Sequence, residues 1–155
     1  MQRQQSAIGV RDGIEILRGA AFGLGPHIAD PTQKGWPAGQ FGDALECYAK
    51  AREADANSKF VDSLEAMTLA AAGQRARAEE MLAVILKRSA HEYISPVSIA
   101  YICTALGDFD AAFGHLDRAI HDRDPNILGL KSNPIFDGLR EDARYHALLK
   151  KMQLE

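Results

Sequence analysis

From residue 40 onward the apolar residues of this chain recur at spacings of three and four, never as a sustained alternation of two. That is the pattern of helices that bury one face, and it leaves no half-buried strand. Near the C-terminus, Tyr145, Leu148, Leu149 and Met152 fall at i, i+3, i+4 and i+7, with Arg144, Lys150 and Lys151 on the other side. This predicts an amphipathic helix over 142–153, its basic residues forming a solvated face. Ile14, Leu17 and Ala21 keep helical spacing and predict a helix over about residues 7–22. Between it and residue 39, Gly25-Pro26, Asp30-Pro31 and Gly35-Trp36-Pro37 break any helix, because proline removes a donor and clashes with the preceding turn. Residues 23–38 are therefore expected as a long loop, with Trp36 as its anchor on the helices or as a loop contact for a partner. Alanine, the strongest helix former, occurs 25 times against 18 for valine, isoleucine and threonine together, which favours an all-α chain.

The pattern also repeats. Gly39, Gly73 and Gly107 stand 34 residues apart. Five residues after each comes alanine (Ala44, Ala78, Ala112), nine after comes Tyr48, Leu82 or Leu116, and twelve after comes Ala51, Ile85 or Ala119. Glycine suits the point where one helix ends and the next begins, since it takes a left-handed conformation without a Cβ clash. The alanine lets two antiparallel helices approach, and the larger residue four positions on lies on the same face and fills the space between them. On the preceding helix, Ala66 and Ala100 match, as do Leu69 and Cys103. Each copy is thus expected to be a helical hairpin.

With this period and these residues the chain resembles the tetratricopeptide repeat family over residues 39–125. The resemblance implies a right-handed α-α superhelix, a solenoid of antiparallel helix pairs. It departs from the family pattern at Asp62 and Pro96, where a large aromatic is usual, at Glu65, where leucine is usual, and at Asp124, where proline is common and Pro125 comes one residue late. The run Tyr93-Ile94-Ser95-Pro96, Ile99-Ala100-Tyr101, Leu106-Gly107-Asp108, Ala112-Phe113 and Pro134 to Arg140 is similar to the repeat region of bacterial regulators. In those proteins the repeats follow winged-helix, adenylate cyclase or protein kinase domains. The organisation expected is an N-terminal helix and Pro/Gly-rich loop over 1–38, acting as a degenerate first repeat, then repeats over 39–125 and a C-terminal capping segment over 126–155. Caps are needed because a repeat stack exposes apolar faces at its ends.

The same resemblance implies a binding surface on the first helix of each pair. Its groove positions are Ser63, Met67, Ala70 and Ala71 in one copy, and Val97, Tyr101, Thr104 and Ala105 in the next. These are small or apolar and carry none of the lysine, arginine or asparagine with which chaperone-binding members clamp a carboxylate. The expected ligand is an apolar peptide or helix of another protein, with Met67 as an adaptable contact and Tyr101 as an aromatic anchor. The alternative at both residues is a place in the core.

Composition narrows the function further. A formal charge of -3 gives no clustered cations for a phosphate backbone, so nucleic acid is not an expected partner. No apolar run approaches the roughly 20 residues that cross a bilayer, and Arg11, Asp12, Glu15 and Arg18 interrupt any signal-peptide core, so a cytoplasmic location is expected. Cys47 and Cys103 lack CxxC spacing and read as buried, reduced thiols. His27, His91, His115, His121 and His146 have no metal-ligand spacing; His115 and His121 are six apart, on opposite sides of a helix. Asp108 and Asp110 bracket Phe109 at a helix start and read as capping residues. With no nucleophile, nucleotide or metal motif, no cofactor and no enzymatic activity are expected. The leading expectation is a non-catalytic protein-protein interaction module. The alternatives are a regulatory or dimerising module beside a separate signalling or transcription protein, including a homodimer made by exchange of the N-terminal helix, and a small-ligand binder formed between the 23–38 loop and the groove.

Overall fold

The computed structural model describes residues 38–54 and 56–154. The expected helix over 7–22, His27 and Trp36 lie outside them, as does the side chain of Cys47. The described elements are α1 (Ala38–Ala54), α2 (Lys59–Ala71), α3 (Arg75–Ser89), α4 (Pro96–Leu106) and α5 (Phe109–His121), two 3-10 segments, η1 (Pro125–Lys131) and η2 (Pro134–Leu139), and α6 (Ala143–Lys151). The expectation of an all-helical chain is met, with no strand among the described residues.

Two turns show why the 34-residue spacing is visible. Gly73 and Gly107 have φ of +77° and +76°, which reverses the chain at the ends of α2 and α4. The amide of the next residue then bonds back across the last turn, Gln74 to the Leu69 carbonyl and Asp108 to the Cys103 carbonyl, both at 2.9 Å. Asp108 also caps α5 by accepting from the Ala111 amide. Gly39 differs, because α1 begins at Ala38 and so places this glycine inside a first helical turn. Two further helices close in the same way without glycine: Arg123 has φ of +53° after α5 and Gln153 has φ of +58° after α6.

The core follows from the repeated small residues. Ala66, Ala78, Ala100, Ala112 and Ala119 are completely buried, so α2 packs closely on α3 and α4, and α4 packs on α5. Tyr48, Leu69, Ile85, Cys103 and Leu116 fill the intervening space, and full burial of one such aliphatic side chain contributes about 1.5–3 kcal/mol. The Tyr48 hydroxyl lies 3.1 Å from Thr68 Oγ1, which joins α1 to α2 inside the core.

The acids at 62, 65 and 124 and the proline at 96 have structural roles. Asp62 and Glu65 both meet Arg52 Nη2 at 2.7 Å, and Asp62 also meets Arg88 Nη1 at 2.6 Å. Arg88 and Lys59 converge on Glu92, and the Lys59 hydrogen bond, followed by that of Arg88, holds this carboxyl below its ordinary range. Charges therefore tie α1, α2 and α3 together. Pro96 opens α4 at a position that needs no amide donor. Asp124 is buried and accepts from Ser95 Oγ at 2.5 Å and from the Asn126 amide at 2.9 Å, so it starts η1 and ties it to the α4 N-terminus.

The C-terminal segment continues the packing. η2 lies on α4, while η1 and α6 lie on α5. The expected C-terminal helix is present, and it buries Tyr145, Leu148 and Leu149. Its basic residues are exposed, as expected of a solvated face, and two of them also pair with acids. Arg144 and Lys151 are about half exposed, but Arg144 bonds Asp110 at 2.7 Å and stacks 4.3 Å over the Phe113 ring, and Lys151 pairs with Asp117. These exposed pairs with α5 each contribute little to stability. Lys150 remains exposed.

Candidate functional site

An open cleft of about 550 Å³ lies at the C-terminal ends of α2 and α4, lined by Ala70, Ala71, Thr104, Ala105, Leu106, Gly107, Phe109, Ile135 and Gly138. Each part has a local cause. The left-handed turn at Gly107 sends the chain back so that Phe109, at the start of α5, stands beside the end of α4. η2 brings Ile135 and Gly138 to the opposite side through its packing on α4. A Cβ placed on Gly138 would meet Phe109 Cζ at 3.6 Å, so glycine keeps the space over this ring open.

Half of the eight expected groove residues line this cleft: Ala70, Ala71, Thr104 and Ala105. The other four do not. Ser63, Met67 and Val97 are buried, as Thr104 is, and unlike Thr104 they do not reach the cleft. Met67 and Val97 belong to the continuous core, and the Ser63 hydroxyl bonds the Lys59 carbonyl of its own helix. Tyr101 is half-buried: its ring lies 5.1 Å from that of Phe136, and its hydroxyl accepts from Asn133 Nδ2 at 3.3 Å. Burial pushes its phenol above the ordinary range. The aromatic expected to anchor a partner is held by the segment leading into η2, so the groove is narrowed to its C-terminal end.

Phe109, Ile135 and Gly138 were not found from the sequence, although two signals touched them. Phe109 sits between the capping carboxylates Asp108 and Asp110, and Gly138 lies within the Pro134 to Arg140 run. Neither signal shows that the two segments face each other.

Threonine is the one polar side chain among the residues that line the cleft. The Thr104 hydroxyl is occupied by the Ala100 carbonyl at 2.8 Å, and none of the lining side chains is titratable. His91, His121 and His146 are exposed; His115 is half-buried, and burial together with Arg118 lowers its pKa. Cys103 is buried and its thiol is pushed up to about 11, mainly by burial. Among the described residues no group of three potential metal ligands occurs, and no helix is long and apolar enough to cross a membrane. Comparison of the chain with protein-family models, curated proteins and solved structures found no match.

Proposed function

We propose that this chain is a repeat module of the tetratricopeptide kind, a short solenoid of helix pairs that recognises another protein and performs no catalytic step. The single observation that carries this reading is the open cleft of about 550 Å³ floored by the small side chains of Ala70, Ala71, Thr104 and Ala105, the same two positions in successive 34-residue units. A concave surface with small side chains suits an apolar segment of a partner, whereas reaction chemistry needs convergent acid, base or nucleophilic groups. The paired left-handed turns at Gly73 and Gly107 support the repeat assignment, as do the buried alanines at 78 and 112. The packing of η2 and α6 on the third unit supports their role as its cap.

The test is affinity capture from the source cell with the full chain and with Ala105→Trp, whose new side chain occupies the cleft. A partner retained by the parent and lost by the folded variant supports the reading. The same proteins captured by both chains would remove the cleft as the site.

A further inference from the structure

Among the described elements, the first helix lacks one neighbour that the later ones have. In the second and third units the helix after the glycine turn packs mainly on the helix before it, α3 on α2 and α5 on α4, and α3 packs less extensively on α4, which follows. At matching positions α3 carries Ala78, Leu82 and Ile85, α5 carries Ala112, Leu116 and Ala119, and α1 carries Ala44, Tyr48 and Ala51. Ala44 and Tyr48 are buried and Ala51 is half-buried. The main described neighbour of α1 is α2, the helix that follows it; the helix that would precede it in its own unit is not among the described elements. The stretch 34 residues before α2, 25–37, contains Pro26, Pro31 and Pro37, which do not fit a regular helix of that length.

Further upstream, Val10, Ile14, Leu17 and Ala21 fall at i, i+4, i+7 and i+11, on one helical face, and Arg11, Asp12, Glu15 and Arg18 lie away from it. As a helix, residues 10–21 span about 17 Å, which covers the about 10 Å of α1 between Ala44 and Ala51. The chain between them, 23–37, extends to about 50 Å and ends at Ala38, the start of α1, so it reaches any point along a helix of about 25 Å. We propose that residues 7–22 pack on α1 of their own chain, with Val10, Ile14, Leu17 and Ala21 against Ala44, Tyr48 and Ala51, in the place that α2 takes on α3 and α4 on α5. A helix delivered by a long connection replaces the first half of a repeat and closes an end of the stack that otherwise exposes an apolar face. The inference rests on the repeat assignment in the proposed function and is independent of the cleft.

Hydrogen exchange of the full chain, read by mass spectrometry, tests this with Leu17→Asn on the apolar stripe and Arg18→Asn, the same new side chain, off it. In the parent, residues 8–22 are expected to exchange at least about tenfold more slowly than a free chain. Leu17→Asn should speed exchange of both 8–22 and α1 by about tenfold and leave α4 and α5 within about twofold, because a repeat stack loosens from its end. Arg18→Asn should change neither segment. Sedimentation equilibrium should give a monomer for the parent at every loading concentration. If Leu17→Asn unfolds the whole chain, Leu17→Ala reads the same pattern at smaller amplitude. Free-chain exchange of 8–22 in the parent, or α1 protection equal in the parent and the Leu17 variants, would overturn the inference. A parent dimer that Leu17→Asn dissociates would also overturn it, since the segment then covers α1 of a second copy. None of these outcomes involves the cleft, so the capture experiment with Ala105→Trp decides the proposed function separately.

Discussion

Three positions with the same backbone conformation allow one physical effect to be measured with both signs. Gly73 and Gly107 have φ of +77° and +76°, and a Cβ added at either meets nothing within 4 Å. Gly73→Ala and Gly107→Ala therefore add left-handed strain of about 1–2 kcal/mol with no steric contact. The alanine also restricts the unfolded chain, which returns about 0.4–1 kcal/mol. The net loss is about 0.5–1 kcal/mol at each site, and the two losses should agree because the geometry agrees. Arg123 has φ of +53° and is exposed; its amide donates to the Ile120 carbonyl at 3.2 Å, a bond that glycine keeps, and its side chain makes no hydrogen bond or ion pair among the described residues. Arg123→Gly removes the strain, loses no contact and should stabilise by a similar amount. Urea unfolding of the parent and the three variants, followed by circular dichroism, reads these differences as midpoint shifts at constant m. For a chain of this length, the corresponding Tm changes are about 1–4 °C, downward for the two alanines and upward for the glycine. A neutral Gly107→Ala or a destabilising Arg123→Gly would refute the assignment of these turns.

Two further predictions concern the core. Tyr48→Ala should cost about 3–5 kcal/mol through the cavity it leaves, and Tyr48→Phe about 0.5–1.5 kcal/mol through the bond to Thr68; a loss below about 1 kcal/mol for Tyr48→Ala in urea unfolding would mean that α1 and α2 are packed in another register. Cys103 should react with a thiol reagent only as the protein opens, measured in a Cys47→Ser background. Burial pushes its thiol up to about 11 from the ordinary 9.0, so its contribution to stability is present below pH 9 and is lost as pH rises from about 9 through 11. Fast labelling of the native protein at neutral pH would contradict both statements.

The helices and their turns were legible because they rest on short-range rules. Glycine at 73 and 107 marks a left-handed residue, and alanine at 78 and 112 marks a close helix approach, whatever surrounds them. What lies over a helix face is a different question. Met67 and Tyr101 occupy positions that periodicity places on one side of a helix, but it cannot show that Met67 joins the core or that Phe136 and Asn133 engage Tyr101. η1 and η2 were not anticipated because short 3-10 segments lack the longer apolar period of an α-helix. Four of the nine residues that line the cleft, Ala70, Ala71, Thr104 and Ala105, followed from the repeat. Its walls come from residues 109, 135 and 138, whose meeting depends on the path of the chain after α4.

The charged cluster around Asp62 gives the stack a fixed order. Arg52 belongs to α1, Asp62 and Glu65 to α2, and Arg88 to α3, while the third unit has Pro96 where Asp62 stands in the second. Units that share turns and small-residue contacts could in principle be shuffled like interchangeable tiles, but these two cannot. Moving the second unit to the third place would part Asp62 and Glu65 from Arg52, and moving the third to the second would leave Arg52 facing a proline. The backbone period makes the units alike, and the side chains at 52, 62, 65 and 96 give each one an address.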